Sequence, residues 1–331
     1  NVHPAVIARG YRQAADKALE ILNEMAEKIT PKDDNILNQI AMTAMTGKGA
    51  EYAREKLSEL AVKSVKLVAE EDGSVDIDNI KIEKRSGGSV EDSELIKGIV
   101  IDKEKVHSSM PRLVKNAKIA LLDKEIEIKK TEIDAKIEIT SPNQLQAFLD
   151  QEEKMLKDMV EQVANAGANV LICQKGIDDV AQHFLAKKGI YAVRRVSESD
   201  MKKIAKATGG NVVSNLHDLS KDDLGFAGAV EERKIGDDEF TYIVECKNPK
   251  AVTILVRGGT EHVTNEIERA ITDAVGDVAA ALKDGKIVAG AGAPEVELAL
   301  ELRKYADSLS GREQLAVQAF ADSMEIIPRT L

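Results

Sequence analysis

The apolar residues change period twice along this chain, and that switch constrains its fold more than any other feature. After Pro4, which suits a first helical turn, Ile7, Tyr11, Ala14, Ala18, Ile21, Leu22, Met25 and Ile29 recur at helical spacing as far as Thr30-Pro31. A short helix through Ile36, Leu37 and Ile40 follows, then a break at Thr46-Gly47-Lys48-Gly49, then a helix from about Ala50 to Ala69. The period then falls towards two. Val75, Ile77, Ile80 and Ile82 read as a strand, Ile99 to Ile101 and Ile119 to Leu122 as buried strands, and Ile126 to Ile128 and Ile137 to Ile139 as half-exposed ones.

Strands and helices alternate next. Ser141-Pro142-Asn143-Gln144 is a helix start with a capping serine, a first-turn proline and a glutamine placed to reach back. Asn169 to Cys173 and Ile190 to Val193 read as strands around a helix at Ile177 to Ala186. Ser197-x-x-Asp200 opens a helix that Gly209-Gly210 ends, and Val252 to Val256 is a further strand. The helical period returns from Thr260 to about Leu282, and Ser310-x-x-Glu313 forms a capping box before a last helix. Helical ends thus enclose an α/β centre. The expected class is α/β plus all-α, with an α/β domain inserted into discontinuous helical segments.

Bulk properties exclude several functions. With 331 residues the chain can hold two or three domains. A net charge of -11 argues against a general nucleic-acid binder, which needs a basic surface to release counterions. No apolar run approaches the length of a membrane span, and the first residues form no signal sequence. The start at Asn1-Val2-His3-Pro4, without methionine, is expected of a fragment or of a processed or unobserved N-terminus. Cys173 and Cys246 sit in apolar strand-like runs and read as buried reduced thiols. The five histidines form no ligand spacing, so no metal ligands are assigned.

Few residues stand out as chemistry on pattern alone. With Ile267, Ile271, Ala274 and Val278 as the buried stripe, Asp273 falls on the opposite helix face, beside Asp277, and reads as a solvated carboxylate. Gly290-Ala291-Gly292 reads as a strand-to-helix turn. Lys48, between two glycines, suits either a phosphate sensor or a solvated turn. Gly258-Gly259-Thr260 lacks the spacing and lysine of a phosphate loop. It reads as a tight turn with Thr260 as helix cap, and a nucleotide-dependent transferase built on it is one further reading. The helix after Ser141 carries Leu145, Phe148 and Leu149 among many charges. Such a helix either packs its apolar side or projects and exposes it.

Three stretches then resemble one family in family order. Glu266 to Leu300, containing Asp273 and the Gly290-Ala291-Gly292 turn, resembles the returning arm of a chaperonin subunit. Lys84 to Lys103 resembles the group II chaperonins, the archaeal thermosome and its eukaryotic cytosolic relatives. Ser141 to Val160 resembles that group's built-in lid helix. The resemblance runs from Asn1 to Leu331.

The resemblance implies an ATP-dependent chaperone of the cytoplasm that encloses unfolded client proteins in stacked double rings of like subunits. It uses ATP and Mg2+, and binds neither nucleic acid nor membrane. Asp273 would be the catalytic carboxylate positioning water. Lys48 and Gly47 would lie at the γ-phosphate, and Gly290, Ala291 and Gly292 against the nucleotide. The family usually has three glycines at that turn, and Ala291 departs from this. Leu145, Phe148 and Leu149 would touch clients or neighbouring subunits. Equatorial remnants are expected at 1–30 and 290–331, an intermediate domain at 31–97 and 251–289, and an apical client-binding domain at 98–250, with its helical protrusion at about 128–154. The family's phosphate-cradling Gly-Asp-Gly-Thr-Thr motif does not occur in these residues, so ATP hydrolysis is expected of the intact subunit and not of these 331 residues alone. The competing expectation is a truncated, passive client-binding module without ATPase activity.

Overall fold

The structure is a computed structural model. It describes residues 2–47, 53–70, 73–128, 142–235 and 238–330. In chain order these form α1 (Pro4–Met25), β1 (Glu27–Lys28), α2 (Asp34–Ala44), α3 (Arg54–Val68), β2 (Ile80–Ser86), β3 (Glu94–Ile96), β4 (Ile99–Ile101) and β5 (Leu113–Leu122). Then follow α4 (Pro142–Asn165), β6 (Val170–Cys173), α5 (Asp179–Lys187), β7 (Tyr191–Val193), α6 (Glu198–Thr208), β8 (Val212–Val213), β9 (Gly225–Ile235), β10 (Asp238–Val244) and β11 (Val252–Gly258). The chain returns through α7 (Glu261–Asp284), β12 (Lys286–Ile287), α8 (Ala293–Ser308), α9 (Glu313–Met324) and α10 (Ile326–Thr330). Two compact units result, residues 1–33 with 280–331, and residues 34–279.

The first unit is helical. Ala14, Ala18 and Ile21 of α1 meet Leu298, Leu302 and Ala306 of α8 and Val317 and Ala321 of α9. Small residues let the axes approach. A Cβ on Gly10 would lie 2.5 Å from the Ala316 Cβ, so glycine is required where α1 crosses α9. Helix α1 is shorter than its periodicity suggests. It ends at Met25 rather than at Thr30-Pro31, because Glu27 and Lys28 pair antiparallel with Ile287 and Lys286. Ile29 is buried by that pairing and not by a helix. The Ser310 capping box does not form either. Glu313 is the first residue of α9, and its carboxylate accepts from Arg9 at 3.3 Å instead of reaching back to the cap.

The second unit holds two sheets. In the smaller, β11 lies between parallel β2 and antiparallel β3. Residues 75–79 precede β2 as a coil and a 3-10 turn, so the strand begins at Ile80 and not at Val75. The larger sheet runs β4-β10-β9-β5-β6-β7, with β8 also pairing β5. Its β4, β10, β9 and β5 are antiparallel neighbours, and β5, β6 and β7 are parallel. Alternation divides the side chains of its central strands between two faces. Ile119 and Leu121 join Val170, Ile172 and the α6 residues Met201 and Ile204. Ala120 and Leu122 join Leu171, Cys173 and residues of α4 and α5 on the other face.

Local signals placed α6 well. The Ser197 hydroxyl accepts from the Asp200 N–H, and Gly209 closes the helix in the left-handed conformation. Ile126 is fully buried, bridged to Ile177, rather than half exposed in a strand. Residues 137–139 and the Ser141 cap lie outside the described residues.

Candidate functional site

Asp273 sits in the middle of α7. The Thr260 hydroxyl accepts from the Val263 N–H at 3.3 Å and caps the helix start, as the turn chemistry suggested. Thr264, Ile267, Ala270, Ile271, Ala274, Val275 and Val278 are buried along one face. Asp273 and Asp277 are exposed on the other. The helix therefore presents a carboxylate to solvent while its packed side fixes that carboxylate's position.

Gly47 belongs to the same unit. It is exposed and left-handed, at φ 75°, just beyond the end of α2, with nothing near a hypothetical Cβ. Lys48 lies outside the described residues. Gly290, Ala291 and Gly292 lie in the helical unit, where they make the turn into α8. The Ala293 N–H donates to the Gly290 carbonyl at 3.2 Å, and φ is 58° at Ala291 and 82° at Gly292. Gly292 must be glycine twice over, since a Cβ there would also sit 2.8 Å from Pro328. Ala291 takes the backbone conformation that a glycine would supply. The departure at the middle position therefore leaves the turn left-handed and adds a methyl group.

These residues fit a nucleotide in limited ways. One exposed, positioned carboxylate can orient water, and open glycine backbone can approach phosphate. Among the described residues no three His, Cys, Asp or Glu side chains are grouped to hold a metal ion. Magnesium in phosphoryl transfer is held largely by phosphate oxygens and water with one or two carboxylates, so it does not need such a cage.

The second candidate region is α4. Leu145, Phe148 and Leu149 are 45%, 36% and 47% exposed. Each residue from Pro142 to Gln151 is exposed, whereas Leu156, Val160 and Val163 are buried against the large sheet. The apolar stripe is continuous along the helix, but only its C-terminal half is covered. Met155, 44% exposed, marks the crossing point. Beneath it Met155, Met159 and Gln162 face Ile128 and the 214–217 turn across a cleft of about 400 Å³. The sequence reading counted Met159 in the apolar stripe of this helix but missed Met155, although Met155 continues the helical spacing from Phe148.

Neither cysteine is poised for chemistry. Burial pushes the Cys173 thiol up to about 12 and the Cys246 thiol up to about 11. Both are free and buried, as their apolar runs suggested. No helix among the described residues is long and apolar enough to cross a membrane.

Comparison with known proteins gives one answer. Residues 1–331 match the model of the TCP-1/cpn60 chaperonin family. The chain is 64% identical to a thermosome subunit of Methanopyrus kandleri and 64% identical to thermosome subunit beta of Archaeoglobus fulgidus, over 100% of its own length and 61% of each relative's. A solved open-state monomer of a group II chaperonin from Methanococcoides burtonii matches with a TM-score of 0.78 at 47% identity, covering 100% of this chain and 77% of that one. The chain spans 61% of the length of those curated relatives. By sequence and by fold, it belongs to the TCP-1/cpn60 chaperonin family.

Proposed function

We propose that the whole protein is an ATP-dependent chaperonin subunit of the cytoplasm, of the group II type, which encloses unfolded clients in stacked rings. The half-covered apolar stripe of α4 carries this reading. A helix that buries Leu156, Val160 and Val163 but leaves Leu145, Phe148 and Leu149 in water is suited to a lid that docks on clients or neighbouring subunits. In this reading residues 98–250 are the apical domain with the protrusion at about 128–154. Residues 31–97 with 251–289 form the intermediate domain, and residues 1–30 with 290–331 belong to the equatorial domain.

Asp273 is the catalytic carboxylate. It accepts a hydrogen bond from the attacking water and orients it at the γ-phosphate, while Mg2+, when bound, neutralises phosphate charge. To Gly47 and Lys48 this reading gives the role of reporting the γ-phosphate. The Gly290, Ala291 and Gly292 backbone lies against the nucleotide. Domain-level insertion supports the division of labour, because hydrolysis and client binding then sit on different segments of one chain.

The test is Asp273→Ala beside Asp277→Ala in the full-length protein. Asp273→Ala should remove ATP hydrolysis and leave ATP binding in place, and Asp277→Ala should keep both. Normal turnover in Asp273→Ala would sink the assignment.

A further inference from the structure

The backbone turns left-handed at two places on either side of β9 in the large sheet. The β5–β9 ladder pairs Lys115 with Ala229 and Ala117 with Ala227, and between them Asn116 turns left-handed at φ 49°. On the other side of β9, just past the end of β10, Glu245 is left-handed at φ 58° and accepts the Gly228 N–H at 3.2 Å. Gly228 lies between the two. A Cβ there would fall 2.5 Å from the Glu245 Cβ, so only glycine fits. Two left-handed residues with side chains, flanking an obligatory glycine, are backbone strain concentrated at one place, and such strain gathers at binding surfaces.

The distortion lines a half-open groove of about 700 Å³. Phe226 stands on it with 58% of its surface exposed, and Ala207 and Ala227 extend the apolar lining. Four lysines face the same groove. Lys206 is held by Asp76 at 3.1 Å and Asn79 at 2.9 Å, and Lys250 by the Ala69 carbonyl at 3.1 Å and Glu70 at 3.2 Å. Among the described residues the ammonium groups of Lys118 and Lys247 have no ion pair or hydrogen bond, and Glu245 is the groove's single carboxylate. Lys118 is the cross-strand partner of Phe226, and Lys247 lines the same groove, so two unneutralised cations share it with an exposed aromatic ring.

We propose that this groove binds an acidic peptide segment of a partner protein, one that carries an aromatic or branched aliphatic side chain beside its carboxylates. The carboxylates meet Lys118 and Lys247, and the apolar side chain lies against Phe226. A lone phosphate would satisfy the ammonium groups but leave the apolar lining wet, so the lining selects a peptide. This contact is separate from the exposed stripe of α4, whose residues take no part in it.

The experiment is fluorescence anisotropy of a labelled peptide of alternating glutamate and leucine with one central phenylalanine, added to the full-length protein. Saturable binding that weakens as salt is raised is expected. Lys118→Glu with Lys247→Glu should weaken it by about tenfold or more, and Phe226→Ser should weaken it as well. The charge-retaining pair Lys118→Arg with Lys247→Arg should bind like the parent, which separates lost recognition from lost fold. Equal binding of a glutamine-for-glutamate peptide, indifference to the charge reversal, or full displacement by pyrophosphate at concentrations equal to the peptide's would each overturn the proposal.

Discussion

Leu156→Ala and the pair Phe148→Ala with Leu149→Ala lie within two turns of one helix, and their effects should be opposite in kind. Leu156 is 2% exposed and packs with Val160 and Val163 of its own helix among Ile126, Ala181 and Leu185. Truncating such a leucine removes its transfer free energy and leaves a cavity, a loss of about 3 kcal/mol. Leu149 and Phe148 are 47% and 36% exposed on a stretch of helix whose first ten residues, 142–151, touch solvent all round. Their truncation gives up little burial, and alanine is the better helix former, so stability should move by no more than about 0.5 kcal/mol. Urea unfolding followed by circular dichroism reads the difference as a shift in midpoint at constant slope. Suppression of aggregation of an unfolded client should show the reverse, intact in Leu156→Ala below its unfolding transition and reduced in the Phe148 and Leu149 pair. A loss of 2 kcal/mol or more in that pair would refute the reasoning, because exposed side chains cannot account for a cost of core size.

Three further outcomes follow from particular residues. Gly98→Ala should cost about 3 kcal/mol or more, since its Cβ would sit 1.9 Å from the Ile243 carbonyl oxygen at φ 150°, and a thermal midpoint within about 2 °C of the parent would contradict this. Ala291→Gly should stabilise by about 0.5 kcal/mol, the relief of left-handed strain less the added freedom of the unfolded chain, and a lower urea midpoint would disprove it. Cys173 and Cys246 hold their protons more tightly folded than unfolded, so their contribution to stability is whole below about pH 9 and declines as pH rises towards 11 and 12. Iodoacetamide at pH 8.5 should therefore leave both thiols unmodified until denaturant is added, and rapid native labelling would show that the burial is wrong.

The legible parts of the fold were those written in neighbouring residues. Ser197 and Gly209 delimit α6 through their own caps, and Thr260 starts α7 through its own hydroxyl. Parts set by distant partners were not legible. Helix α1 stops four residues early because Glu27 and Lys28 find a strand more than 250 positions away at Lys286 and Ile287. Strand β9, reading Gly225 to Ile235, ends in a charged run that lacks a strand's apolar alternation, yet it pairs with β5 on one side and β10 on the other. Its stability comes from those non-local ladders, which no local window contains.

The candidate site separates even more sharply into what pattern can and cannot carry. Periodicity placed Asp273 on the exposed face of its helix and the structure agrees, but the same statement holds for Asp277 one turn on. Burial, helix face and charge are alike for both, so sequence pattern does not tell a water-positioning carboxylate from a solvated one. What distinguishes them is where a nucleotide would lie, and the resemblance carries that information through the order of its motifs. Helix α4 is the converse case. Leu145, Phe148 and Leu149 have the spacing of a packing face, and packing was the more economical reading of the residues alone. Only the fold shows that burial along the helix begins at Leu156. The exposed surface is thus a packing stripe longer than the core it packs on, and the overhang is a property of the tertiary structure rather than of the helix.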